Sequence, residues 1–374
     1  STTAGFPSVM VPVLSKTTVV TCDARSSAAP PLLRMPSSAP LVCSPRNASM
    51  ASATVANLLY ANLCTPSIPW AVLPGMVYMF GLALGSPAMT LRTMDLFPKA
   101  KGLAASLQGF VQMLLFALMS AIVAPLVLGD IRKLALSVAI GWTLSALCWW
   151  LGTRNLKPVE KPASAEVTRQ ETRWSVLLAD RRSWAIAGAK ALTDQVWWFV
   201  LFWMPDFFHR QFGMQQADLG YPIAIIFSLA ALGALSSGLL FPRLLDRGLS
   251  VNAARKTSML FYATLILPMA LALYTSSPWI AAGLIGMALF AHQGFSTNIF
   301  GLTADVVPLP RVARVIALGA VCGNLTGAGI IELSGWSLTN GVGYWPMFAI
   351  CSVAYFLATA WVHLLVPVVK PSHG

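Results

Sequence analysis

The chain has 374 residues, 56% of them hydrophobic and only 10% charged, with a formal net charge of +12 and a mean hydropathy of +0.69. Soluble domains carry about 25% charged residues, so these charges cannot cover a water-facing surface and lipid is the expected solvent. The basic excess lies in loops between apolar runs, and no basic-aromatic face outside those runs supports nucleic-acid binding.

Residues 1–68 differ from the rest. They are rich in Ser, Pro, Ala and Thr, with Lys16, Arg25, Arg34 and Arg46 against Asp23. No run there is long and apolar enough to span a bilayer, and the chain begins at Ser1 without the segment order of a signal peptide. A disordered tail, or a stretch never selected to fold, is expected.

Nine candidate spans follow, at about 69–91, 103–128, 132–152, 183–207, 220–242, 256–274, 278–299, 312–332 and 345–367. Each can cross about 30 Å of hydrocarbon as a helix. The expected divisions are a three-helix membrane segment at 69–152, a polar linker at 153–182, a six-helix unit at 183–367 and a tail at 368–374.

Basic residues orient these spans. The linker holds Arg154, Lys157, Lys161, Arg169, Arg173, Arg181 and Arg182; later loops on its side hold Arg243, Arg247, Arg255, Lys256, Arg311 and Arg314. Of the intervening loops, one holds Arg210 and the others no basic residue. The asymmetry predicts a cytoplasmic linker and C-terminus. The same alternation puts Arg132, Lys133 and the basic first 60 residues outside. With an odd number of spans, this suggests a chain that has lost its front.

One junction occurs twice. "MDLFPKAKGLAASLQG" near residue 95 and "ADVVPLPRVARVIALG" near residue 305 share an Asp, two apolar residues, a Pro, a basic patch and a helix rich in small residues. Transporters built as two six-helix halves repeat such corners by pseudo-two-fold symmetry. Counted from the linker, the first corner falls between the fourth and fifth helices; counted from the C-terminus, the second falls between the tenth and eleventh. The loop "GLLFPRLLDRGLSVNAARK" at 238–256 resembles the DRxG-type loop of the major facilitator superfamily. Asp246 would accept from arginines nearby, so Asp246, Arg247, Arg255 and Lys256 are candidates for a breakable cytoplasmic latch. A plain basic loop is the alternative.

From about Trp174 to Pro367 the chain resembles the C-terminal half of the anion:cation symporters of that superfamily, the hexuronate transporter type. "WAIAGAKALTDQVWWFVLFWMPDFF" (184–208), "SVNAARK" (250–256), "FAHQGFSTNIFGLTADVVP" (290–308) and "GYWPMF" (343–348) carry the likeness. It implies an all-α major facilitator fold, here incomplete, in a bacterial inner membrane, importing sugar acids such as galacturonate and glucuronate with protons. "LALGSPAMTLRTMDLFPKAKGLAASLQGFVQ" (82–112) instead resembles the tenth and eleventh helices of Bcr/CflA-type drug:proton antiporters. The first three spans therefore correspond either to helices four to six or to helices ten to twelve. Drug:proton antiport, and a non-transporting fusion or truncation product, are the alternative functions.

Ionisable groups inside spans default to functional hypotheses. Lys190 and Asp194 stand four apart and share a helix face, with Trp197 and Trp198 one turn on. Lys190 suits a carboxylate and a Trp ring the apolar face of a sugar, contacts that the hexuronate resemblance also implies. An internal ion pair with interfacial tryptophans is the alternative. His292, Gln293, Ser296 and Asn298 form a polar group in an otherwise apolar span, able to satisfy sugar hydroxyls. Asn324 lies among Gly319, Gly323 and Gly327 and is either site or helix-helix contact. Asp194 is the one deep carboxylate for proton coupling; the family's coupling acids lie largely in the first half, and the first three spans here carry no acid before Asp95. The six cysteines form no CxxC pair or Cys/His cluster, and neither a catalytic constellation nor a phosphate-cradling loop occurs, so no enzyme activity, metal or cofactor is expected.

Overall fold

The computed structural model describes residues 45–65, 67, 70–79, 81–82, 93, 101–154 and 173–369. Among these, every regular element is helical. The first helix, α1, is Pro45–Leu63. Helix α2, Lys101–Leu118, runs through a π-turn at Met119–Val123 into Ala124–Val127. Helix α3 is Ile131–Thr153, capped by Asp130, which accepts from the backbone N–H of Arg132 and Lys133. The short helix α4 is Trp174–Ala179.

Six long helices follow: α5 Arg181–Phe212, α6 Gly220–Asp246, α7 Val251–Ile266, α8 Pro278–Val306, α9 Leu309–Thr339 and α10 Trp345–Leu365. Helix α7 is prolonged by a 3-10 stretch over Leu267–Leu273. Asp180 caps α5 by accepting from the Arg182 N–H, and Gly213 ends it in the left-handed region at φ 66°, where a Cβ would be strained. Ser250 caps α7 by accepting from Ala253 N–H.

Seven of the described helices are long and apolar enough to cross a membrane. Helix α5 also has the length, with 32 residues, about 48 Å at 1.5 Å per residue. Eight of the nine expected spans thus correspond to long helices. The span expected at 69–91 is described only at residues 70–79 and 81–82, helical from 73 onward, and the "DLFP" corner (95–98), linker residues 155–172 and the end of the tail lie outside the described residues. Helix α1 departs from the sequence expectation, because it forms within the segment read as unstructured. Its composition, "PRNASMASATVANLLYANL", is too weakly apolar to register as a span, yet Ala53 and Ala61 are buried on the face it turns to α3.

Helix α8 is the axis of the second unit. It packs on α5, α6 and α7, and 61% of its most apolar window is buried against 6% for α3. Small residues permit this: a Cβ on Gly294 would lie 2.2 Å from the Tyr262 ring, and one on Gly233 would lie 2.1 Å from the Phe290 carbonyl. Helix α5 packs on α9 and α10. At its far end Tyr344 donates a short hydrogen bond to Asp206, which also holds Arg210 at 2.7 Å. Helix α2 does not stand apart. It lies along α6 and touches α8, with Gly109 facing Ala234 and Gly238 facing Ser106.

Candidate functional site

Four residues of α5 at helical spacing define the site. Lys190 Nζ lies 2.8 Å from Asp194 Oδ1, with side chains 13% and 14% exposed. The same ammonium is 3.4 Å from Ser296 Oγ on α8 and 5.3 Å from the centre of the Phe300 ring. One turn on, the two tryptophans diverge. Trp197 stacks on His292 at 5.7 Å between ring centres and 20° between planes. Trp198 faces α9 and stacks on Phe202 at 5.9 Å.

Helix α9 contributes backbone rather than side chains here. A Cβ on Gly319 would meet the Lys190 stem at 3.1 Å, one on Gly323 the Asp194 carboxylate at 2.4 Å, and one on Gly327 the Trp198 ring at 2.0 Å. Three glycines at four-residue spacing thus receive three side chains at the same spacing. Thr326 Oγ1 donates to the Ala191 carbonyl at 2.6 Å and ties the two helices together. Such close approach through small residues is characteristic of packing in membranes.

His292 is buried, with Nδ1 2.6 Å from the Tyr355 hydroxyl of α10. Gln293 Nε2 donates to Met113 Sδ at 3.3 Å, and Phe116 stacks on Trp197 at 6.4 Å. Both partners belong to α2, so the front of the chain forms one wall of the site. Asn324 is exposed, one residue from Gly323, with no hydrogen bond among the described residues.

Of the remaining expected residues, Arg255 and Asn298 meet beside Asp305 toward the end of α8. Arg255 Nε donates to Asp305 Oδ2 at 2.8 Å, its Nη1 to Asn298 Oδ1 at 2.9 Å, and its guanidinium lies 3.7 Å from the centre of the Phe241 ring. Asn298 returns a hydrogen bond to the Arg255 carbonyl at 3.0 Å. Asn298, grouped by sequence with the sugar-contacting residues, therefore faces this cluster instead. Its separation from Ser296 turns it toward α7. Lys256 Nζ contacts His363 Nδ1 at 3.0 Å and the Pro367 carbonyl, while Asn252 accepts from Val369 N–H at 3.0 Å. Arg182 donates to the Val306 carbonyl at 3.1 Å.

Asp246 and Arg247 stay exposed, without an ion pair among the described residues. The acceptor for Arg255 is Asp305, fifty residues away, rather than Asp246. The turn after α6 carries Asp246 outward, whereas Arg255 sits in the second turn of α7 on the face toward α8. Asp305, Tyr355, Phe116 and Met113 were missed as participants. Asp305 had a signal, since it is the acid of the repeated corner; the others sit in apolar runs without one.

A family model described as Major Facilitator Superfamily matches residues 39–331. The chain belongs to the Major Facilitator Superfamily. The match begins ahead of α1, which assigns that helix to the family as well. Similar curated proteins include the D-galactonate transporter of Escherichia coli strain CFT073, 26% identical over 216 residues, covering 57% of this chain and 48% of that protein. The hexuronate transporter of E. coli K12 is 28% identical over 180 residues, covering 47% and 41% respectively. The probable galactarate/D-glucarate transporter of E. coli K12 is 25% identical over 167 residues, covering 44% and 37%. The chain spans about half or less of the length of these relatives.

Among solved structures, the E. coli fucose:proton symporter superposes with a TM-score of 0.57 at 13% identity, over 87% of this chain and 85% of that one. A bacterial homologue of the human lysosomal transporter Spinster gives 0.54 at 17%, over 86% and 81%. At these identities the likeness is one of fold. In the Major Facilitator Superfamily architecture the site lies at the interface of two repeats. Here α2 lies along α6 and touches α8, so it borders the Lys190 side of the second unit.

Proposed function

We propose that this superfamily member carries organic anions, hexuronates and related sugar acids foremost, across a bacterial inner membrane by alternating access, together with protons. The observation that carries the reading is Lys190: a cation inside the bundle, 3.4 Å from Ser296, with Trp197 two turns further along the same helix. A sugar acid offers a carboxylate for Lys190, hydroxyls for Ser296, Gln293 and the exposed amide of Asn324, and an apolar face for the Trp197 ring. An exposed amide in a membrane helix is costly unless it meets water or ligand, which supports placing Asn324 on the substrate path. The names of the relatives, which include hexuronate and galactonate transporters, point the same way.

The Arg255–Asp305–Asn298 cluster is suited to hold one state of the cycle, because its groups lie on α7 and α8 and part if those helices move. The loop charges favour a cytoplasmic linker, Arg255 cluster and C-terminus. The test is uptake of labelled galacturonate or glucuronate into proteoliposomes under an imposed pH gradient. Lys190→Met should abolish it and Lys190→Arg retain part. Absence of uptake, with no shift of thermal stability by these acids, overturns the reading. The resemblance of residues 82–112 keeps drug:proton antiport as a second reading, favoured by proton-linked efflux of hydrophobic cations that sugar acids do not affect.

A further inference from the structure

At one end of the second unit α5 begins while α8 and α10 finish. Arg181 and Arg182 line a pocket of about 370 Å³ there, with Val306 at the end of α8 and Leu365, Val366 and Val368 around the end of α10 as its other walls. The volume falls within the range of small-ligand pockets, about 300–1,000 Å³. We infer that this pocket binds the phosphate of an anionic phospholipid, whose acyl chains run along α5 and α10. The site lies about 13 Å along α5 from Lys190 and does not depend on which substrate is carried.

The charges at the pocket do not cancel. Asp180, the acid next to the two arginines, is already engaged: it caps α5 through the Arg182 N–H and pairs with Arg311 at 3.7 Å. Asp305, beside Val306, is held by Arg255 at 2.8 Å. Arg182 spends one donor on the Val306 carbonyl at 3.1 Å, which satisfies the open end of α8, and a guanidinium has five. Arg181 makes no ion pair among the described residues. Two guanidinium groups therefore line the pocket with donors to spare, in the planar geometry that matches phosphate oxygens in pairs.

Two tryptophans set the depth. Trp184, one turn into α5, donates from Nε1 to the Leu178 carbonyl at 2.8 Å. Trp361, one turn before Leu365, donates from Nε1 to the Trp184 carbonyl at 2.8 Å. Both rings stay exposed, and such amphipathic rings mark the level of lipid headgroups. The arginines lie at that level, one turn from Trp184. The opposite wall is apolar, and Val368 is exposed on it. A free inorganic anion has no use for such a wall, whereas a lipid covers it with its glycerol and upper chain. That wall is held in place: Lys256 donates to the Pro367 carbonyl, and Asn252 accepts from the Val369 N–H at 3.0 Å. Basic pockets between membrane helices recognise acidic headgroups in this way.

The test is native mass spectrometry of the delipidated full chain in dodecyl maltoside, titrated with phosphatidylglycerol, phosphatidylcholine or inorganic phosphate. One phosphatidylglycerol should be retained more tightly than phosphatidylcholine, whose choline cation opposes the arginines, and added salt should weaken it. Arg181→Gln should loosen phosphatidylglycerol about tenfold, the loss of one charge-assisted contact, and Arg181→Lys less. Arg243→Gln, which removes the same charge at the end of α6, should leave the affinity unchanged. Equal retention of the two lipids by the wild-type chain overturns the inference. So does inorganic phosphate that displaces phosphatidylglycerol at equal concentration, which assigns the pocket to a free anion. Unchanged affinity in Arg181→Gln, or an equal loss in Arg243→Gln, overturns it as well. The wild-type comparison of the two lipids decides even if a variant fails to fold.

Discussion

Arg255 is held on three sides, by Asp305, by Asn298 and by the face of Phe241. Removing one member of a buried pair costs about 3–5 kcal/mol, and the 24% exposure of Asp305 argues for the lower end. Arg255→Leu should lower stability by about 3 kcal/mol in denaturant titrations in detergent, and the double variant with Asp305→Leu should recover most of it. Asp246→Asn, which breaks no ion pair among the described residues, should stay within about 0.5 kcal/mol of wild type. At Trp197 the expected effect is on substrate. Ring contacts contribute about 0.5–1.5 kcal/mol, so Trp197→Ala should raise the KM for sugar acids several-fold and Trp197→Phe much less, read from uptake kinetics. The residue scale was partly legible. Lys190 and Asp194 share a helix face by spacing alone, so their pairing could be expected. Trp197 and Trp198 are neighbours in sequence but about 100° apart around the helix, and only the packing assigns one to α8 and the other to α9. Asn298 finds Arg255 across forty-three residues, a partner that local spacing cannot disclose.

At the scale of elements, the glycines of α9 behave differently according to what they face. Gly327 lies against the Trp198 ring, whereas Gly329, two residues on, faces open space. Gly327→Ala should therefore destabilise by about 1–3 kcal/mol through overpacking, and Gly329→Ala should be neutral or slightly stabilising; thermal unfolding of the two variants side by side separates the cases. The periodicity of these glycines was visible in the sequence, and what they receive was not. Span positions were readable because long apolar runs register on any hydropathy window. Helix α1 escaped because its contact surface is built from Ala, which packs closely while adding little hydropathy.

For the whole molecule, the decisive relation is between α2 and the second unit. Gly109 and Ala234 approach so that a Cβ on the glycine would lie 3.2 Å from the Ala234 Cβ, close to the 3.5–4.5 Å that a disulfide spans. The pair Gly109→Cys and Ala234→Cys should cross-link on oxidation in native membranes. A control pairing Gly75→Cys with Ala234→Cys should not, since a Cβ on Gly75 would meet nothing within 4 Å among the described residues. The doubled corner points to a relation between the two parts, and symmetry and sequence likeness assign it to different helices. The match of α5 to α9 also bears on motion. Lys190, Asp194 and Trp198 repeat every four residues, as do Gly319, Gly323 and Gly327, and the two helices run parallel. Slide α9 by one turn, about 6 Å, and Lys190 meets Gly323 while Asp194 meets Gly327. The contact is nearly self-similar under that step, so shape alone does not choose the register. The hydroxyl of Thr326 on the Ala191 carbonyl and the ion pair of Arg311 with Asp180 at 3.7 Å choose it, which makes α9 a slide with evenly spaced stops and polar catches.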